Sequence, residues 1–200
     1  MIEDLAFRIA LIAILILRTI AGLYFWLNTL RSGEKVDRRA EGLWMCIGLR
    51  VGAGIYGIGI MAWLVDPRWM AWSSLSLPDW LRWIGVGLII IGVLTLNWGL
   101  RSLGKNFTDT VVTRKEHTLV TSGPYRWVRN PLYCSYFVIV TGMTLLMANW
   151  FPAVAGAFVL TLVVIRTQKE EENLIERFGD EYREYMQRVG RFFPRLHRQR

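Results

Sequence analysis

The sequence predicts an all-α integral membrane protein. It has five transmembrane helices with a C-terminal helical hairpin, an ordered cytoplasmic loop and a terminal amphipathic helix. Three observations predict this. Apolar stretches recur along the 200 residues, and 53% of the chain is hydrophobic, more than a soluble domain of this length would carry. Basic residues crowd into alternate connections between the stretches. Ten tryptophans accompany them, and tryptophan gathers at membrane–water interfaces.

The first stretch covers residues 5–30, the second 43–65 and the third 81–100. Each is close to or above the roughly 20 residues a spanning helix needs. The fourth, 132–147, and the fifth, 151–165, are shorter. Only Ala148, Asn149 and Trp150 separate them, which predicts a tight hairpin whose helices run past these apolar limits. Arg31, Lys35, Arg38 and Arg39 lie between the first two stretches. Arg101, Lys105, Arg114, Lys115, Arg126 and Arg129 lie between the third and fourth. The tail adds Arg188, Arg191, Arg195, Arg198 and Arg200, whereas residues 66–80 hold only Arg68. Positive charge marks the cytoplasmic side, so five spans put the N-terminus outside and the C-terminus in the cytoplasm. Trp69, Trp72 and Trp80 in the outer loop suit an interfacial belt.

Residues 101–131 form too long a loop for a passive connection. The β-prone segments 110–113 and 118–121 predict a small hairpin, and Ser122-Gly123-Pro124 predicts a turn. After the fifth stretch, Leu174, Ile175, Phe178, Tyr182, Tyr185, Met186 and Val189 fall near one helical face. This amphipathic helix is expected to lie against the bundle or the membrane surface. The chain reads as a single membrane domain. Residues 1–100 supply three N-terminal spans, and residues 101–200 supply the loop, the last two spans and the tail helix.

The formal charge of +8 fits cytoplasmic loops and anionic lipid better than nucleic acid. Cys46 and Cys134 lie in apolar stretches and do not read as a disulfide framework. His117 and His197 are far apart with no cysteine at zinc spacing, so no structural metal is expected. The acidic start and the long first stretch do not read as a signal peptide. Gly52, Gly54 and Gly57 match a dinucleotide-binding pattern, but inside a span and without a preceding strand. The spacing of Gly48 with Gly52, and of Ala53 with Gly57, predicts close helix packing instead. Asn106-Phe107-Thr108 fits a glycosylation sequon on what reads as the cytoplasmic side. Arg18 and Arg50 lie within spans; each either packs against carbonyls or snorkels, or else contacts a cofactor or a lipid headgroup.

Residues 117–133 read HTLVTSGPYRWVRNPLY, and residues 166–186 read RTQKEEENLIERFGDEYREYM. A G-x-Y segment, an R-x-P-x-Y segment, an apolar hairpin, and a glutamate pair leading to F-G-x-E-Y therefore follow one another. In that order the chain resembles the isoprenylcysteine carboxyl methyltransferase family and, more loosely, the phospholipid N-methyltransferases. The likeness covers roughly residues 97–194, while the first two spans match only as generic apolar helices. The resemblance implies methyl transfer from S-adenosyl-L-methionine at the cytosolic face. It implies cofactor contacts at His117, Thr118, Leu119, Val120, Tyr125, Asn130, Pro131, Leu132, Tyr133 and Glu170, and a catalytic and substrate-binding role for Arg166. One departure is Asn130, where the family has His; Asn keeps a donor and an acceptor but cannot carry charge.

The residue chemistry agrees with these roles. A sulfonium is already an activated electrophile, so the protein mainly supplies position and excludes water. Tyrosine faces attract a cation, and a carboxylate such as Glu170 accepts hydrogen bonds from an amino group. Arg166 can hold a carboxylate in a fork. A carboxylate acceptor is ionised at neutral pH and needs no general base, in keeping with the lack of a His–Asp or Cys–His arrangement. Each residue also has a plainer reading. Pro131 can start a helix, Glu170 to Glu172 can be a solvated helix start, Arg166 can be a positive-inside anchor, and Tyr125 and Tyr133 can be interface aromatics. The expected partners are a lipophilic acceptor arriving from the bilayer and membrane lipids, with no nucleic acid. Two alternatives stand beside this reading: a phospholipid amine methyltransferase, and a sterol-reductase-like membrane protein that binds NADPH.

Overall fold

The computed structural model describes residues 2–31, 43–104 and 118–195. Helices α1 (Ile2–Arg31), α2 (Leu43–Val65), α3 (Asp79–Leu103), α4 (Pro131–Met147), α5 (Phe151–Phe178) and α6 (Asp180–Arg188) carry the fold. Short 3-10 turns occupy Pro67–Ser73 and Gly123–Arg126. No strand forms among the described residues. By length and composition Trp44–Val65, Asp79–Leu103 and Phe151–Phe178 are sufficient to cross a membrane, and Pro131–Met147 is a shorter apolar helix.

Helix starts follow proline chemistry. Pro131 opens α4 and Pro152 lies in the first turn of α5, where a missing N–H costs nothing. The chain reverses between α4 and α5 through Ala148, which takes a left-handed conformation at φ 48°. The reversal is held from outside: Asn149 Nδ2 donates to Met70 O at 3.0 Å, and Leu75 N donates to Ala148 O at 2.7 Å. Two arginines tie α1 to this same end. Arg8 donates to Leu64 O at 3.0 and 2.7 Å, covering a carbonyl that the end of α2 leaves open. Arg82 is 7% exposed; it donates to Leu146 O at 3.1 Å and Asp4 Oδ1 at 2.9 Å, and lies 3.8 Å from the centre of the Phe7 ring. A guanidinium with that many partners can remain charged inside an apolar bundle.

The apolar core joins Phe7 and Leu11 of α1 to Ile60 and Trp63 of α2, Ile89 and Leu96 of α3, and Ile139, Met143 and Leu146 of α4. Small residues set how near the helices come. Gly85, Gly92 and Gly99 put one face of α3 against α4: an added Cβ would lie 2.6 Å from Leu146 N, from Ile139 Cγ1 and from Leu132 Cδ2 respectively. Gly48 and Gly52 do the same for α2 against α5, facing Leu162 at 3.2 Å and Phe158 at 3.0 Å. The second small pair of α2 does not pack this way. Ala53 is exposed and Gly57 has nothing within 4 Å of an added Cβ, because that pair points away from α5.

The helix of the fifth apolar stretch runs past residue 165 to Phe178. Two other expectations change. Gly179, at φ 56°, ends that helix, so the expected terminal amphipathic helix is divided between the end of α5 and the separate α6. Its apolar face survives the break: Leu174, Ile175, Phe178, Tyr182, Tyr185, Met186 and Val189 form one cluster, joined by Leu119. For the expected β-hairpin, the first arm lies outside the described residues, and the second, 118–121, is irregular chain.

Candidate functional site

The polar ends of α4 and α5 meet beneath the segment 118–130 and the tail beyond Gly179. Arg166 and Glu170 lie one turn apart on α5, so their side chains share a face. Arg166 Nε donates to Glu170 Oε1 at 3.0 Å. Tyr133, in the first turn of α4, donates its hydroxyl to the same carboxylate at 3.1 and 2.9 Å. The Arg166 and Glu170 side chains are 15% and 21% exposed, so the group is largely sheltered.

Tyr125 lies in the 3-10 turn above this group and is buried. Burial pushes its phenol far above the usual tyrosine range, with the nearby charges of Tyr185 and Glu170 adding to the push. The phenol is therefore neutral at any physiological pH. The Tyr185 hydroxyl donates to Tyr125 O at 2.6 Å and ties the turn to α6. Burial likewise raises Tyr185, to about 12, with the Arg129 charge drawing it back.

The other predicted contacts scatter around this centre. Pro131 is buried at the head of α4. Leu132 turns toward α3 and fills the space over Gly99. Asn130 donates through both its backbone N and its Nδ2 to Arg191 O, at 3.1 and 3.3 Å. Leu119 packs on the tail cluster, Val120 is half-buried and Thr118 is exposed. His117 lies outside the described residues. The structure thus brings Tyr125, Tyr133, Arg166 and Glu170 together and leaves Thr118 to Val120 and Leu132 in packing or surface positions.

Sequence reasoning missed a second polar group beside the first. Arg129 donates through Nε to Glu171 Oε1 at 3.0 Å, and Arg191 pairs with the other oxygen of Glu171. The Arg129 and Glu171 side chains are 7% and 5% exposed. Adjacent glutamates on α5 thus take separate partners, Glu170 with Tyr133 and Arg166, Glu171 with two arginines. Its traces in the sequence are the arginine that opens the R-x-P-x-Y segment and the glutamate pair, since one helix turns about 100° per residue and two neighbours cannot face the same way. Among the described residues no cluster of three metal-ligating side chains occurs.

Comparison with known proteins bears on this half of the chain. Residues 84–176 match the model of the isoprenylcysteine carboxyl methyltransferase family. A human protein named protein-S-isoprenylcysteine O-methyltransferase is 34% identical over 128 residues, covering 62% of this chain and 44% of the human one. The Saccharomyces cerevisiae protein of that name is 38% identical over 114 residues, covering 56% of this chain and 48% of its own. The chain thus spans about half the length of these relatives. A solved structure of a eukaryotic intramembrane Ras methyltransferase, an isoprenylcysteine carboxyl methyltransferase, superposes with a TM-score of 0.52 at 25% identity; it covers 74% of this chain and 51% of that one. With its apolar helices and this similarity of fold, the chain is an integral membrane protein, and over residues 84–176 it is similar to the isoprenylcysteine carboxyl methyltransferase family.

Proposed function

We propose that this chain transfers a methyl group from S-adenosyl-L-methionine to a lipophilic acceptor, most directly the carboxylate of an isoprenylcysteine-like molecule. The observation that carries the reading is the meeting of Tyr125, Tyr133, Arg166 and Glu170 within the family-matched half. The residues suit the donor. Buried Tyr125 and half-buried Tyr133 offer ring faces to a sulfonium, and Glu170 is an acceptor for an ammonium group. When bound, S-adenosyl-L-methionine supplies a methyl carbon already activated for attack. The chain's own work is placement. Arg166 orients an anionic acceptor head through its fork, Glu170 and Tyr133 fix the donor side, and the tail with Tyr125 keeps water from the space between.

We read α1 to α5 as five spans, with the N-terminus outside and the site on the cytoplasmic face. Alternate ends of the helices support this: the group of Arg129, Arg166 and Arg191 lies opposite the end where Asn149 meets Met70. Residues 101–200 are then the catalytic half and residues 1–100 its membrane support.

The test is a methylation assay with labelled donor on the detergent-solubilised chain, offering small isoprenoid thiol acids and total lipid separately. Label in a base-labile ester of the thiol acid is expected. Label on lipid amines alone would move the acceptor to phospholipid. Saturable binding of NADPH with none of S-adenosyl-L-methionine would overturn the reading.

A further inference from the structure

Four consecutive carbonyls of the tail are each engaged by the segment that leads into α4 or by the first turn of α4 itself. Arg129 Nη1 donates to Val189 O at 2.6 Å, and Arg129 N to Gly190 O at 2.8 Å. Asn130 N and Nδ2 donate to Arg191 O at 3.1 and 3.3 Å, and Cys134 Sγ to Phe192 O at 3.2 Å. Arg129 Nη1 reaches Met186 O as well, at 3.2 Å. The bend that presents these carbonyls depends on Gly190, where an added Cβ would sit 1.9 Å from Phe193 O. Behind this clasp the Arg129 guanidinium and Arg191 share the Glu171 carboxylate.

We propose that Arg129 is a positioning residue for the donor side of the site, acting through Glu171 and the clasped tail; this rests on the methyltransferase reading above. The geometry gives it that leverage. Arg129 stands one turn before Tyr133, and Glu171 is the next residue after Glu170. The contact from Arg129, just before α4, to Glu171 and the contact from Tyr133, in the first turn of α4, to Glu170 are therefore two neighbouring rungs between α5 and the start of α4. The inner rung fixes the rotation of α5 about its axis, and that rotation aims Glu170 at Tyr133. Arg191 brings the tail to the same carboxylate, so the roof formed by Tyr185 over Tyr125 is set by the same charge.

Burying two charges merely to hold the tail down would be a poor use of them, because such a pair often adds little net stability over apolar packing. The apolar cluster around Tyr182 already anchors the tail. What a forked, fully engaged guanidinium adds is a single geometry.

The experiment uses the full chain in detergent with three variants: Glu171→Gln, Arg129→Lys and the milder Arg191→Gln, whose side chain is 34% exposed and whose loss the fold tolerates best. Calorimetry gives the S-adenosyl-L-methionine dissociation constant, steady-state kinetics gives KM for a small isoprenylcysteine acceptor, and thermal unfolding reports the fold. Expected are a donor affinity weaker by about tenfold in Glu171→Gln and about threefold in Arg191→Gln, with acceptor KM within about twofold of wild type. Arg129→Lys keeps the charge without the fork and falls between the two. A merely structural role would lower the melting temperature and leave both constants of the folded protein unchanged, and that result overturns the proposal. So does an acceptor KM that moves as far as the donor constant. If Glu171→Gln does not fold, Arg191→Gln decides alone. A wild-type chain that binds no donor defeats the methyltransferase reading itself, and is told apart from a failed proposal because the latter requires wild type and variants to bind equally.

Discussion

Replacing Gly142 by alanine adds one carbon where α4 crosses α3. The new Cβ would lie 2.7 Å from Gly85 O, 2.7 Å from Ile89 Cγ1 and 2.9 Å from Ile89 N. Two of those atoms are backbone, so no side-chain rotation relieves the contact, and the helices must part by about 0.7 Å to restore ordinary van der Waals distance. Gly87 lies two residues beyond Gly85 on α3, and nothing lies within 4 Å of its added Cβ. Gly87→Ala is therefore the matched control. Both changes gain helix propensity of up to about 1 kcal/mol, and that gain cancels in the comparison. What remains is the overpacking cost at Gly142, about 1–3 kcal/mol. For a chain of this size that places the Gly142→Ala melting temperature a few degrees to about ten below that of Gly87→Ala. Thermal unfolding of the two variants in one detergent measures the difference directly. Melting within a degree of each other would mean that α3 and α4 do not touch at glycine, and the helix pairing described here would fall.

Four further outcomes are expected. Glu170→Ala removes the acceptor shared by Tyr133 and Arg166; a charged hydrogen bond is worth roughly 1.5–3 kcal/mol, so donor affinity should fall by about tenfold or more in calorimetry, and an unchanged constant returns Glu170 to a structural place. Arg166→Lys keeps a cation beside Glu170 but loses the planar fork, so turnover should drop while donor affinity stays within about twofold; the reverse pattern would assign Arg166 to the donor. Reporter fusions at residue 72 and at the C-terminus should read outside and inside respectively, and an external C-terminus would put the site on the wrong face. Tyr185 has its phenol raised from 10.0 to about 12 in the folded chain, so its contribution is complete below pH 10 and fades as pH climbs through about 12; tail protection followed by hydrogen exchange should weaken over that window in wild type, and Tyr185→Phe should reduce that pH dependence, the remainder coming from Tyr182, which burial raises too.

Legibility in the sequence followed the kind of signal each residue gives. The bounds of α2 came directly from hydropathy, because apolar residues stop abruptly at Asp66. The seven tail residues were recognisable from helical spacing, and spacing survives the break at Gly179, since the cluster needs a common face and not a continuous helix. That α5 runs past its apolar limit was expected, but how far it continues through RTQKEEE was not apparent, because hydropathy falls there while helix propensity does not. Arg166 and Glu170 could be paired by their four-residue spacing; Tyr133, 37 residues before Glu170, came from the family likeness alone. Arg129 opened the R-x-P-x-Y segment but was given no role beyond one more positive charge in a cytoplasmic loop. Charge counting registers where an arginine sits relative to the membrane and nothing of its partner, 42 residues away. The pairing of Ala53 with Gly57 failed for a related reason: small residues permit close approach on any face of a helix, and only the neighbours decide which face is used.

The glycines of α3 recur every seventh residue, at 85, 92 and 99, and meet α4 from Leu146 to Leu132. A seven-residue repeat keeps one seam facing its partner, so the two helices are zipped along the whole stretch from Gly85 to Gly99. Backbones that close leave no crevice into which a hydrocarbon chain can slide. If the acceptor is the prenyl-tailed one proposed above, the seam between α3 and α4 is therefore a wall and not a doorway to it. Any sideways route to Arg166 has to open on another flank of the bundle, which makes the lipid-facing edges of α5 the place to look for it.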